Sequence, residues 1–172
     1  KNGAILSPDS FIETAEETGL IVPIGGWAIK EACAEAVRWA KSGHPIPVSV
    51  NVSQRQFEKG VIVEQASAAL KATGLDPRLL KLEVTESLFM RDMERAAATM
   101  HDLKALGITF AVDDFGTGYS SLRYIDALPI DSLKIDKSFI DRITTAEGDG
   151  AVALAVVSLA RSFGLESVAE GV

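Results

Sequence analysis

Five apolar runs in the 172-residue chain each carry, at or just beyond their C-terminal end, a side chain that can bind a cation or move a proton. Asn51 closes the first. Glu83 lies in the second, with Glu86 just after it. Asp113-Asp114 closes the third, Lys134 and Asp136 mark the fourth, and Glu170 follows the fifth. Carboxylates gathered in one place repel one another unless a cation sits among them or several take up protons. All-oxygen donors suit hard ions such as Mg2+ or Mn2+. The adjacent Asp113 and Asp114 suit the bridging of two ions about 3.5–4 Å apart, a pair that activates a water and clamps a phosphoryl oxygen. Lys134 adds a movable positive charge that could orient or deprotonate the water. Phosphodiester hydrolysis is the chemistry this combination favours. Taken singly, each residue has an ordinary reading: Asn51 a turn, Glu83 and Glu86 surface charges, Asp113-Asp114 a turn or helix cap, Lys134 with Asp136 an exposed ion pair. Their recurrence at the same end of successive runs favours the joint reading.

These residues must be positioned by alternating strands and helices. Ser7-Pro8-Asp9 is a helix start, with Pro at the first helical position, and the spacing predicts a helix over 7–19. A second helix is expected after Gly25-Gly26, ended by Gly43 and Pro45. Strands are predicted over 47–52, 80–85, 108–112, 132–135 and 165–169, and further helices over 61–73, 92–106 and 149–163. The strands read as apolar runs, which implies burial on both faces. The last helix is apolar nearly all round, which implies deep packing. Strand–helix alternation implies a parallel sheet. An open doubly wound sheet and a closed (β/α)8 barrel both fit the order. Only a barrel brings five consecutive strand ends to one mouth, where barrel enzymes hold their active sites.

Composition bounds the rest. With 47% hydrophobic and 24% charged residues, the chain is an ordinary globular one, and a single domain over 1–172 is expected. The net charge of −7 argues against binding DNA or RNA duplexes. The single cysteine, Cys33, permits no internal disulfide and is expected in the core. The longest apolar stretch, around 151–157, is too short to span a bilayer, so no membrane contact is expected. Asp114-Phe115-Gly116 lacks the other segments of a kinase, and Gly116-Thr117-Gly118 lacks the third glycine of a dinucleotide fingerprint. His44 and His101 have no partner at metal-binding spacing. Trp27 and Trp39 are expected to pack.

The motifs resemble one family over essentially the whole chain: the EAL domain of bacterial cyclic di-GMP phosphodiesterases. The resemblance is carried by Val50-Asn51-Val52-Ser53, by Leu82-Glu83-Val84-Thr85-Glu86-Ser87, and by Leu133-Lys134-Ile135-Asp136. It is carried most specifically by the run Asp113-Asp114-Phe115-Gly116-Thr117-Gly118-Tyr119-Ser120-Ser121. Ser7-Pro8, Phe11-Ile12, Ala15-Glu16, Gly19-Leu20-Ile21 and Ala169-Glu170-Gly171-Val172 also match.

The resemblance implies a modified (β/α)8 barrel of TIM type. It implies hydrolysis of one phosphodiester of cyclic di-GMP to the linear dinucleotide pGpG, with Mg2+ or Mn2+. By position, Asn51, Glu83, Asp113 and Asp114 look like metal ligands, with Asp136 and Glu170 at the second metal or its water shell. Lys134 looks like the residue that activates or positions the water, and Glu86 like the one that steadies the following loop. That loop, Phe115, Gly116, Thr117, Gly118 and Tyr119, is expected to couple the metal site to a homodimer interface. Pro8 and Phe11 are expected to line the nucleotide pocket. The family's first strand, with its metal-binding Glu, and its C-terminal strands have no counterpart here. The chain alone is therefore expected to be an incomplete barrel, to fold poorly and to be inactive. The parent protein is expected in the bacterial cytoplasm, fused to sensor or cyclase domains. Two readings from other classes stand beside this one: a non-catalytic cyclic di-GMP receptor, and an enolase-type barrel enzyme, which the Asp-Asp pair argues against.

Overall fold

The structure is a computed structural model that describes residues 6–116, 122–143 and 150–171. Its centre is a parallel sheet of β1 (Val48–Asn51), β2 (Leu80–Thr85), β3 (Thr109–Phe115), β4 (Ser132–Ile135) and β5 (Glu166–Ala169). The strands lie in sequential order, β1-β2-β3-β4-β5, each paired in parallel with the next. A doubly wound sheet reverses its order at a switch point. No reversal occurs among these five strands, so the architecture is that of a barrel wall.

The register separates the two faces of the sheet. Val48, Val50, Leu80, Leu82, Val84, Phe110, Val112, Leu133 and Ile135 fall on one face and enter the core. Ser49, Asn51, Lys81, Glu83, Thr109, Asp113, Ser132, Lys134 and Glu166 fall on the other. The strands are therefore two-sided rather than uniformly apolar, which corrects the sequence expectation. Short runs conceal this because their polar residues stand at every second place.

The apolar face is covered by α2 (Ile21–Lys41), α4 (Ile62–Thr73), α6 (Met93–Ala105) and α9 (Ala151–Phe163). Ile29, Cys33 and Ala36 of α2, Ile62 and Ala66 of α4, and Met100 and Leu103 of α6 are fully buried against it. The shorter helices are α1 (Ile12–Thr18), α3 (Gln54–Glu58), α5 (Ser87–Arg91), α7 (Leu122–Ala127) and α8 (Lys137–Ile143). α9 buries only Ala153, Val156 and Ala160, and Val152, Leu154 and Phe163 are exposed. It is packed on one face, not deeply all round. Trp27 is likewise exposed, while Trp39 packs against the core. Among the described residues, no helix is long and apolar enough to cross a membrane.

Two helix starts depart from the sequence expectation. Pro8–Ser10 forms a separate 3-10 turn before α1. α2 begins at Ile21 and carries Gly25 and Gly26 within it. Pro23 is harmless in the first turn, where no intrahelical donor is needed. The glycines permit close approach: a Cβ at Gly25 would lie 2.4 Å from Gln56 Oε1, and one at Gly26 2.8 Å from Gln65 Nε2. Gln56 is buried and joins three elements. It accepts from Ser53 N–H at 3.2 Å and donates to Gln65 Oε1 at 2.8 Å, and Gln65 donates to the Val22 carbonyl at 3.0 Å. This chain of amides fastens the turn that follows Asn51 to the first turn of α2.

Candidate active site at the strand ends

Parallel strands deliver their C-terminal residues to one edge, and here that edge curls inward. Lys134 Nζ lies 2.6 Å from Glu83 Oε2, 2.9 Å from Asp113 Oδ1 and 2.5 Å from Glu170 Oε1. In a flat sheet, β2 and β5 would stand about 14 Å apart. Their carboxylates nevertheless meet at a single ammonium. The curvature is thus visible in the side chains, and the edge forms a mouth rather than a row.

A bulge in β3 sets the two aspartates. Val112 pairs with Leu133 and Phe115 with Ile135, so three steps along β3 match two along β4. The extra residue re-aims the side chains that strict alternation would send to opposite faces. Asp114 adopts φ 53°, the left-handed region that Asp tolerates better than most residues. Its N–H donates to Asp113 Oδ1 at 3.0 Å. Asp113, Asp114 and Glu170 thereby each place a carboxylate oxygen within 4.8 Å of the others. Backbone strain of this kind gathers at functional sites.

Among the described residues, three carboxylates, Glu83, Asp113 and Glu170, share the ammonium of Lys134, and Asp114 lies close to two of them. Burial pushes the Asp114 carboxyl above its ordinary value, and the charges of Asp113, Asp136 and Glu170 push it further against the pull of Lys134. For Lys134, burial favours the neutral amine, but hydrogen bonds to Glu170, Glu83 and Asp113 outweigh it and hold the group well above the usual lysine range. Hard oxygen donors clustered in this way suit a hard divalent cation.

The other expected residues occupy distinct places. Asn51 stands beside Glu83 in the β1–β2 register, on the same face. Glu86 is buried and accepts the Gly116 N–H on Oε1 at 3.1 Å, anchoring the chain as it leaves β3. Gly116 has φ 96° there, a conformation that suits glycine. Phe115 is buried on the helix-facing side. Thr117, Gly118 and Tyr119 lie outside the described residues. Asp136 stands apart from the close trio: its Oδ1 accepts from Ser138 N–H at 2.9 Å and from the Ser138 hydroxyl, at the start of α8. Those bonds hold its carboxyl below the ordinary range. Pro8 lies in the first 3-10 turn and Phe11 caps α1.

Two parts of the site escaped sequence reasoning. Pairing register alone reveals the bulge. The Gln56 relay left a usable trace, because Ser53-x-x-Gln56 has the spacing of a helix-start box.

Comparison with known proteins agrees with this geometry. The family model for the EAL domain matches residues 1–172. The bifunctional diguanylate cyclase/cyclic di-GMP phosphodiesterase MucR of Pseudomonas aeruginosa is 43% identical over 169 residues, 98% of this chain and 25% of that protein. The cyclic di-GMP phosphodiesterase NbdA of the same organism is 37% identical over 169 residues, 98% of this chain and 22% of that protein. The chain thus spans about a quarter or less of these relatives' length. A solved structure of the PaMucR phosphodiesterase in its c-di-GMP complex superposes with a TM-score of 0.93 at 42% identity, covering 99% of this chain and 70% of that one. The chain belongs to the EAL domain family.

Proposed function

We propose that this chain carries the catalytic edge of a cyclic di-GMP phosphodiesterase, which hydrolyses one phosphodiester bond to give linear pGpG. The observation that carries the reading is the meeting of Glu83, Asp113 and Glu170 at Lys134, with Asp114 turned toward them by the bulge. Asn51, Glu83, Asp113, Asp114 and Glu170 would hold Mg2+ or Mn2+, with Asp136 reaching through a water. When bound, such ions polarise the phosphoryl oxygen and lower the pKa of a water. Lys134 has three N–H donors and no acceptor in its charged form, so it orients oxygen ligands around it. Glu86 holds the Gly116 N–H at the end of β3. Phe115 to Tyr119 are proposed to couple this loop to a homodimer interface, and Pro8 and Phe11 to contact the nucleotide. MucR combines cyclase and phosphodiesterase in its name, which supports fusion of this chain to other signalling domains; a bacterial cytoplasmic setting is proposed with it.

The test is incubation of the protein carrying this chain with cyclic di-GMP, with and without Mn2+, followed by chromatography. Linear pGpG formed only with the metal supports the proposal. Tight nucleotide binding without product would make the chain a receptor and sink the enzymatic reading.

A further inference from the structure

Lys134 does more than line the site. An ammonium has three hydrogens, and here it has three carboxylate partners at 2.6, 2.9 and 2.5 Å. Two of the three, Asp113 and Glu170, also belong to the trio whose oxygens lie within 4.8 Å of one another. The lysine and a divalent ion would therefore draw on the same two carboxylates. Two cations sharing one ligand set repel each other at a few ångströms even in a partly screened site.

We propose that Lys134 is an internal counter-cation. It closes the metal-free site and must give up Asp113 and Glu170 before these can serve a metal ion. This rests on the reading of the strand-end mouth as a metal site. It goes further in assigning Lys134 control of metal affinity, with a sign opposite to its effect on turnover. Lys81 supplies the natural control. It stands on the same face toward the other end of the strands, and its contact, 3.6 Å to Glu166, involves none of the candidate ligands.

The test measures Mn2+ binding without nucleotide, by the electron paramagnetic resonance of free Mn2+. The samples are the wild-type protein, K134M and K81M. K134M should bind Mn2+ at least about tenfold more tightly, and K81M should change far less. Equal or weaker binding by K134M, with wild-type binding intact, overturns the counter-cation and leaves the metal site standing. Equal tightening in K81M reduces the effect to general charge and also overturns it. Absence of Mn2+ binding in both wild type and K134M overturns the metal site and the counter-cation together. Should K134M not fold, the wild type decides alone. Labelling of Lys134 by an amine reagent, read by peptide mass spectrometry, should rise on saturation with Mg2+ while Lys81 stays constant. Unchanged labelling of Lys134 overturns the proposal.

Discussion

The two ends of the same sheet use the same residue types to opposite purpose. Toward the N-terminal ends of the strands, cations and anions are matched. Lys81 faces Glu166, and Lys104 holds Asp131 at 2.7 Å while the second Asp131 oxygen accepts the Phe110 N–H. At the C-terminal ends, among the described residues, three carboxylates share the single ammonium of Lys134. Matched pairs near the surface contribute little beyond local order. Carboxylates gathered at one edge repel one another, and a ligand of positive charge relieves that repulsion. The difference supports the proposed placing of function at one edge and plain structure at the other, as barrels generally arrange them.

Substitutions at the two ends should differ most in activity. Asp113→Asn should lower metal-dependent turnover by well over about 100-fold, more than the loss of a residue supporting a ligand, while the melting temperature stays close to wild type. A large loss of fold with it would mean that Asp113 is structural. Next in size is the anchor of the loop. Glu86→Ala leaves the Gly116 N–H without its carboxylate and should cost about 1–3 kcal/mol in urea unfolding; Glu86→Gln, which keeps an acceptor, should recover most of it. Gly25→Ala sets the interior against helix propensity. Alanine is favoured in a helix by about 1 kcal/mol, yet its Cβ would collide with buried Gln56. Overpacking should win, with a net loss of about 1–3 kcal/mol. A stabilised variant would show that the Gln56 relay gives way easily. At the matched end, Lys81→Met should change stability by less than about 1 kcal/mol and leave turnover unaltered.

The covered face of the sheet offers a pH test. Burial raises the Cys33 thiol from 9.0 to about 11. Between those values the unfolded chain has lost this proton and the folded one retains it. Stability therefore falls as pH rises from about 9 through about 11 and is unaffected by this group below 9. Cys33→Ser should flatten that part of the stability curve. A thiol reagent at pH 8 should label Cys33 only on unfolding.

Much of this was legible in the chain. Strand limits at 80–85 and 132–135 were readable because apolar runs there end at charged or turn residues, and the acids at the strand ends announced a common edge. The start of α2 was not legible, because Gly25-Gly26 signals a turn locally, and only the distant Gln56 and Gln65 explain its use inside a helix. The two-sided strands were misread for want of length: four to seven residues give period-2 alternation few repeats. Asp113 and Asp114 were readable as a pair. Their convergence depends on one unmatched residue between β3 and β4, which is a property of register and cannot be seen in either strand alone.

Divalent ions are proposed to bind where Asp113, Asp114 and Glu170 converge. Crystals grown with Mn2+ and examined by anomalous diffraction at the manganese edge test it most directly. An anomalous peak is expected within coordination distance of all three carboxylates, with Lys134 drawn away from Asp113 and Glu170. Manganese bound elsewhere, with the Lys134 contacts intact in a fully loaded crystal, would contradict it.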